Sequence, residues 1–198
     1  MRLAHLGFVT LALAASCSLF AAMGCSSPVP PTPKGAWQVT FFSGAETSAC
    51  HINQHNAAVG VISKNTRGDE VTDALDGASV SCTVQGTGGF KVQGSASQSG
   101  KSLSISIGSL SKSATVDQPA TGSLSYASPN TAGNAYVNTS DSPCKFWFEP
   151  STSQDVSAGK VWVAFACDAV RDDGHDSTCG IKSGYAIFEN CSDGTAAE

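Results

Sequence analysis

Four aspartates crowd into one short polar segment near the C-terminus. The segment reads Asp-Ala-Val-Arg-Asp-Asp-Gly-His-Asp and places carboxylates at Asp168, Asp172, Asp173 and Asp176. Hard cations such as calcium bind several carboxylate oxygens, so a calcium site is one interpretation. The spacing does not fit the EF-hand loop when the count begins at Asp168 or at Asp172. The favoured prediction is therefore a solvated surface loop closed by a disulfide, and we expect no metal and no cofactor.

Candidate catalytic groups are few and scattered. The G-x-S-x-G motif of serine hydrolases does not occur, and His175 and Asp176 are adjacent, an arrangement that rarely lets one residue orient the other. His51 and His55 can share one face, but two imidazoles do not define a metal site. We predict no catalytic residue. The alternative is an extracytoplasmic hydrolase that uses carboxylates such as Glu149 and Asp168.

Two tryptophans are predicted to face away from the core. In the segments 144–149 and 160–167 the other aromatic and aliphatic residues alternate onto one face, which leaves Trp147 and Trp162 on the opposite face. An antiparallel hairpin through residues 150–159 allows a register with Trp147 directly across from Trp162. Such an exposed pair could stack on sugar rings. The alternative is that the tether, a loop or a neighbouring strand covers this outer face.

The elements that position these residues are predicted to be strands. Short apolar or alternating runs separated by Gly, Asn, Asp and Ser predict an antiparallel two-sheet β-sandwich, and no segment has the apolar stripe of a convincing helix. The clearest alternation is Leu103-Ser-Ile-Ser-Ile107. The nine candidate strands are 36–42, 57–63, 78–85, 90–95, 101–109, 120–127, 144–149, 160–167 and 184–190.

The cysteines predict a domain cross-linked by disulfides. Two of the eight, Cys17 and Cys25, lie in or beside the leader. The other six cysteines contain no C-x-x-C cluster of the kind that binds a metal ion. Because their number is even and the domain is predicted to be exported, we expect them to form three disulfides. The spacing selects no connectivity. Our preferred pairing is Cys167 with Cys179, Cys50 with Cys82 and Cys144 with Cys191.

Charge and composition exclude some functions. Charged residues make up 14% of the chain and hydrophobic residues 41%, which is typical of a globular domain and not of a disordered acidic tail or a coiled coil. The chain has 11 Lys and Arg against 16 Asp and Glu. This acidic balance gives no basic footprint for nucleic acid, so we expect no nucleic-acid partner.

The N-terminal residues indicate export. Arg2 precedes an apolar run that ends in small residues, as in a secretory signal peptide covering residues 1–24. Ala22-Met-Gly-Cys25 resembles the lipobox of bacterial lipoproteins, although that motif most often has Leu where Ala22 stands. Cys17 is a second, poorer match, and plain secretion is the other alternative. The resemblance implies that Cys25 becomes a lipid-bearing N-terminus carrying acyl chains such as palmitate.

The remaining chain divides into a tether, a domain and a tail. Residues 25–35 hold the lipidated cysteine and a proline-rich tether, 36–191 the β domain, and 192–198 a flexible tail. Ser26, where Asp would mark inner-membrane retention, favours the outer membrane. With its terminal strand Gly184-Tyr-Ala-Ile-Phe-Glu-Asn-Cys191 ending in a disulfide cysteine, the domain resembles small cysteine-rich bacterial surface lipoproteins, and this resemblance brings no activity with it. We expect a non-catalytic binding or structural module of the cell envelope. Its expected partners are the membrane and either a glycan or an envelope protein.

Overall fold

The computed structural model of the protein describes residues 30–43, 50–172 and 177–194. Cys25 and the predicted signal segment lie outside these ranges, as do Asp173 and Asp176. Everything below belongs to the unit that begins at Pro31. Among the described residues, no helix has the length and apolar character needed to span a membrane.

Antiparallel strands make up most of the described chain, and the only helical element in the described ranges is a 3-10 turn at Pro129–Thr131. The strands are β1 (Lys34–Phe42), β2 (His55–Val59), β3 (Val71–Thr72), β4 (Ser79–Gln85), β5 (Phe90–Gln98), β6 (Lys101–Leu110), β7 (Ala120–Ala127), β8 (Tyr136–Asn138), β9 (Cys144–Trp147), β10 (Asp155–Ser157), β11 (Lys160–Asp172) and β12 (Thr178–Glu189). Each of the nine predicted strands is present in whole or in part. The prediction missed β3, β8 and β10, which are too short to show an alternating pattern.

All strands join one hydrogen-bonded sheet in the order β2-β1-β12-β11-β8-β7-β6-β5-β4. Strand β3 pairs with the start of β1, β10 pairs with β11, and β9 pairs with both β11 and β7. The predicted all-β antiparallel fold with three disulfides is confirmed. Its division into two sheets is not seen, because β8 and β9 each bond to β7 on one side and β11 on the other.

The two ends of the sheet face each other across the hydrophobic core. The Trp37 indole of β1 donates a hydrogen bond of 2.9 Å to the carbonyl of Ala96 on β5. The Phe188 ring of β12 lies against Gly94 of β5, where an added Cβ would come within 2.6 Å of the ring. Only glycine allows this close approach. In β6, Leu103 and the two isoleucines after it are buried, as the alternating sequence predicts.

The domain extends slightly beyond its predicted limits at both ends. Strand β1 begins at Lys34, and the carbonyl of Thr32 accepts a hydrogen bond from the Asn190 side chain, so the end of the predicted tether is attached to the domain. Ser192, the first residue of the predicted tail, forms a bridge with Thr83 of β4. Hydrogen bonds of the β domain therefore reach Thr32 and Ser192, beyond the predicted boundaries at residues 36 and 191.

The six predicted cysteines form three disulfides, but all three of our preferred pairings are wrong. The observed bridges are Cys50–Cys179, Cys82–Cys191 and Cys144–Cys167. Cys167 and Cys179 bracket a short loop in sequence, yet Cys167 stands opposite Ile181 on β12. The short loop between Cys167 and Cys179 favoured a bridge between them, but the register of β11 against β12 does not place these two cysteines opposite each other.

These pairings can be read from peptides released without reduction. Digestion of the unreduced protein should yield the three cross-linked peptide pairs named above, identified by mass spectrometry. Replacing both members of the Cys144–Cys167 bridge by alanine should lower the free energy of unfolding by roughly 2–5 kcal/mol in a denaturant titration. A peptide linking Cys167 to Cys179 would contradict the fold described here.

Candidate binding face

A row of side chains on the outer face of the sheet combines aromatic and small residues. Trp147 of β9 stands opposite Ala164 of β11, and Ala164 stands opposite Tyr185 of β12. Both aromatic side chains are half-buried. Because adjacent strands lie about 4.8 Å apart, the backbones of Trp147 and Tyr185 are about 10 Å apart, with the small Ala164 between them. We call Trp147 and Tyr185, with Ala164 between them, the aromatic face.

Polar groups at the rim hold Trp147 in place. The Trp147 indole donates to Glu149 Oε1 at 3.2 Å, and Lys64 Nζ donates to Glu149 Oε2 at 2.9 Å. The Gln154 amide links the two segments, because its oxygen accepts from the Glu149 backbone and its nitrogen donates to the Lys64 carbonyl. Burial, and then the charge of Glu149, raises the pKa of Tyr185. The Tyr185 hydroxyl therefore stays protonated and able to donate at neutral pH.

The predicted cross-strand pair of exposed tryptophans is wrong. The register places Trp147 opposite Ala164, while Trp162 stands opposite Ile187 on β12 and Asp155 on β10. Trp162 is only 4% exposed. It packs with Ala36, Ile62 and Ile187 in a small apolar cluster, so the alternative prediction of a covered outer face holds for this residue.

The cover over Trp162 is a hairpin of residues 60–70, which connects β2 to β3. Val61 donates to the Asp69 carbonyl at 2.7 Å, and Ile62 pairs with Arg67. Ile62 is the only buried residue between 61 and 69 and is the hairpin's contribution to the Trp162 cluster. The 60–70 hairpin thus lies over the part of the outer face adjoining the aromatic face.

Ion pairs attach the 60–70 hairpin to the sheet. Arg67 pairs with Glu70 inside the hairpin, at 2.9 Å, and with Glu189 on β12, which attaches the hairpin to the sheet. Lys160 also pairs with Glu189, at 3.2 Å. Burial and the neighbouring Glu189 charge raise the pKa of Glu70, and Arg67 opposes this shift only in part. Two carboxylates therefore share a guanidinium group at the base of the hairpin.

The carboxylates of the hydrolase alternative do not meet. Glu149 lies two residues beyond Trp147 in one direction, whereas Asp168 lies four residues beyond Ala164 in the other, which separates them by about 20 Å along the strands. Asp168 pairs with Lys145 at 2.8 Å. The geometry thus supplies no shared cleft for these two groups.

Of the four weak metal candidates, Asp168 and Asp172 lie in the described ranges, whereas Asp173 and Asp176 lie outside them. Asp172 is buried and accepts a hydrogen bond from Asn134 at 3.3 Å, whereas Asp168 is exposed. No three His, Cys, Asp or Glu side chains within the described ranges are grouped so that they could hold a metal ion.

The histidines are placed differently from one another. His55 Nδ1 donates to the Asn53 carbonyl at 2.8 Å, which leaves Nε2 to accept from the Tyr126 hydroxyl at 2.8 Å. Its ring also stacks on Phe41, with ring centroids 5.0 Å apart. His51 is exposed, and its backbone amide donates to Ser177. His55 is therefore part of a packed hydrogen-bond network.

A second outer surface carries hydroxyl groups. Ser81, Ser95, Ser104 and Ser125 stand opposite one another across β4, β5, β6 and β7. Two adjoining shallow depressions, of about 380 and 220 Å³, follow this row. Their lining side chains include neither an aromatic ring nor a charge, so this surface offers hydrogen bonds without an apolar platform.

Comparison with models of protein families, with known proteins and with solved structures found no match to this chain. The aromatic face and its rim must therefore be interpreted from their own chemistry.

Sequence reasoning identified Trp147 but missed Tyr185 and Lys64. Tyr185 lies in the predicted strand 184–190, and alternation with the buried Ala186 and Phe188 could have placed it on the outer face. Nothing in the sequence signals Lys64, because the 60–70 hairpin brings it to Glu149 from a distant part of the chain.

The two tryptophans should differ in their effect on stability. Trp162→Ala removes a buried ring and should lower the free energy of unfolding by about 3–5 kcal/mol. Trp147→Ala removes a half-buried ring and should cost only about 1–2 kcal/mol. Denaturant titration of both variants measures the difference, and equal losses would show that the two rings are equally packed.

Glu70 should make stability depend on pH in a defined direction. Because its pKa is raised in the folded state, the folded protein holds this proton more tightly than the unfolded chain. The resulting stabilisation is complete below the ordinary Glu pKa of about 4.3 and is lost as pH rises through the higher folded value. Glu70→Gln should therefore be more stable than the wild type at pH 7, and the difference should shrink towards pH 4.

The control for this prediction is Asp155→Asn, which changes an exposed carboxylate paired with Lys112. If the free energy of unfolding that Glu70→Gln gains over the wild type grows on acidification, the raised pKa of Glu70 is contradicted.

Proposed function

We propose that this protein is a lipid-anchored module of the bacterial cell envelope that binds uncharged carbohydrate on its aromatic face without catalysing a reaction. The observation that carries the proposal is the row Trp147-Ala164-Tyr185, in which two half-buried rings flank a small residue beside a carboxylate and an amine. The preferred location is the outer membrane, with Cys25 as the lipid attachment site.

The chemistry of the row suits a sugar ring. One face of a pyranose presents C–H groups, which pack on an aromatic ring, and its edge presents hydroxyls. Trp147 is held in one orientation by Glu149, so little side-chain entropy is lost when a ligand stacks on it. A rigid ring on a strand is a better platform than one on a mobile loop.

The rim keeps hydrogen-bonding capacity for hydroxyl groups. An ionised carboxylate has about four acceptor positions, and Glu149 uses two of them on Trp147 and Lys64. Lys64 Nζ has further donors, and the Tyr185 hydroxyl can donate as well. Mixed donors and acceptors around an apolar platform favour a neutral polyhydroxyl ligand over a charged one.

The disulfides support placement outside the cytoplasm. Three bridges persist only in an oxidising compartment, which agrees with the signal segment in the sequence. The lipobox-like residues before Cys25 support anchorage, because the acyl chains on that cysteine would hold the domain at a membrane through the proline-rich tether.

Binding can be measured on protein released from the membrane. Cys25→Ser should move the protein from the membrane to the soluble fraction. If the variant stays in the membrane fraction, the assignment of Cys25 as the lipid anchor is contradicted.

The soluble protein is then screened by titration calorimetry against cellotetraose, maltotetraose and chitotetraose. We expect one of them to bind, and Trp147→Ala or Tyr185→Ala to weaken binding at least about tenfold through lost contact area.

Ser104→Arg is the matched control, since it blocks the row of hydroxyl groups on β4–β7 and leaves the aromatic face intact. Its affinity should equal that of the parent protein. Loss of binding in Ser104→Arg with retention in Trp147→Ala would assign the ligand to the hydroxyl surface and overturn the proposal.

A further inference from the structure

The Trp162 indole N–H is a buried donor without a hydrogen-bond partner in the described part of the chain. Buried polar groups are nearly always satisfied, and an unmade hydrogen bond inside a protein is unfavourable. The Trp37 indole shows the usual solution, because it donates to the Ala96 carbonyl. Trp162 is therefore an exception that needs a physical reason, and it adjoins the aromatic face.

The segment that buries Trp162 is weakly attached. Ile62 is the only residue between 61 and 69 that is buried, so the 60–70 hairpin contributes little apolar area to the fold. Its ion pairs to the rest of the domain use Lys64 and Arg67, whose side chains are 47% and 40% exposed, while the carboxylates of Glu149 and Glu189 are 17% and 16% exposed. Water can therefore reach the cationic end of each pair, which limits what the pair contributes to stability. Segments with few buried contacts open locally before the whole domain unfolds.

The chain on either side of the hairpin is paired with β1. Strand β2 pairs with Trp37–Phe41 of β1, and β3 pairs with Lys34 and Gly35, so opening need not disturb β1. Gly60 joins β2 to the hairpin at a φ of +69°, and a Cβ there would lie 2.5 Å from the Asp69 carbonyl oxygen. The closed turn therefore requires glycine at position 60, and glycine also has the backbone freedom that a hinge residue needs.

We propose that the 60–70 hairpin is a movable cover over a second aromatic subsite. In the open form the Trp162 ring stacks on a sugar unit next to the one held by Trp147, and its indole N–H donates to a sugar hydroxyl. The chemical class of the ligand in this inference rests on the proposed function.

Opening and binding are coupled through Glu149. In the closed form Lys64 Nζ of the hairpin forms an ion pair with Glu149 Oε2, and the Gln154 amide nitrogen donates a hydrogen bond to the Lys64 carbonyl. When the hairpin moves away, that carboxylate oxygen becomes free for a sugar hydroxyl while Trp162 is uncovered, so Lys64 belongs to the rim of the aromatic face in the closed form only. A ligand that uses both groups binds the open form better and shifts the population towards it.

Hydrogen exchange of the indole groups tests the cover without any ligand. The protein has three tryptophans, so exported Cys25→Ser protein labelled with ¹⁵N should give three indole signals, assigned with Trp→Phe variants. Trp37, bonded in the core, reports global unfolding. The Trp162 N–H should exchange at least about tenfold faster than that of Trp37.

Arg67→Ala removes the ion pair between the hairpin and Glu189, so it should speed exchange of the Trp162 N–H by roughly three- to tenfold. Exchange of the Trp37 N–H should be unchanged. Lys145→Ala removes the exposed pair with Asp168, which does not involve the hairpin, and is the matched control that should change neither signal. Equal exchange rates at Trp162 and Trp37 in all proteins would show that the hairpin opens only on global unfolding, and would overturn the proposal.

Affinity for the bound tetrasaccharide tests the subsite. Arg67→Ala should bind about threefold or more tightly, because a larger fraction is open before binding. Trp162→Phe, which keeps a ring but lacks the N–H, should bind more weakly. If Trp147→Ala abolishes binding while Arg67→Ala and Trp162→Phe leave it unchanged, the subsite is overturned and the proposed function stands. If none of the three tetrasaccharides binds the parent protein, the proposed function and the sugar subsite both fail, and exchange alone decides whether the hairpin moves.

Discussion

The disulfide between Cys144 and Cys167 holds β9 against β11 in one register, and β9 in turn bonds to β7. Phe146 stands opposite Phe165 and Lys145 opposite Ala166, so the next pair in this register is the two bridged cysteines. A slip of two residues would separate these cysteines and also move Trp147 away from Ala164. The same constraint therefore joins the halves of the sheet and sets the spacing of the aromatic face.

The segment that follows β12 joins the two ends of the sheet. Cys191 is bridged to Cys82, and the backbone of Ser192 bonds to both Cys82 and Val84 of β4. This contact covers part of an edge strand that would otherwise present unpaired backbone groups to other chains. With the two ends of the sheet drawn together, Phe188 can reach Gly94, and the core becomes continuous between the facing strands.

The rings of the aromatic face and the polar groups at its rim lie on different kinds of element. Trp147 and Tyr185 lie on strands that are paired on both sides, whereas Lys64 and Glu149 come from connecting segments held together by an ion pair and the Gln154 amide. Rigid strands position rings well, while connecting segments can change conformation at small energetic cost. The Trp162 indole, which has no hydrogen-bond partner in the described part of the chain, lies near the boundary between these regions.

Local patterns in the sequence determined the all-β class, nine of the strands, the number of disulfides and the outward direction of Trp147. Alternation along one strand is a short-range property, so Leu103–Ile107 and Phe146–Phe148 disclose their buried faces without knowledge of their neighbours. The tertiary structure alone decided which cysteines meet, that Trp162 is covered, and that Lys64 reaches Glu149. These outcomes depend on strand register and on contacts between distant segments. A strand keeps the same alternation when its register slips by two residues, so its own sequence does not determine which partner stands opposite.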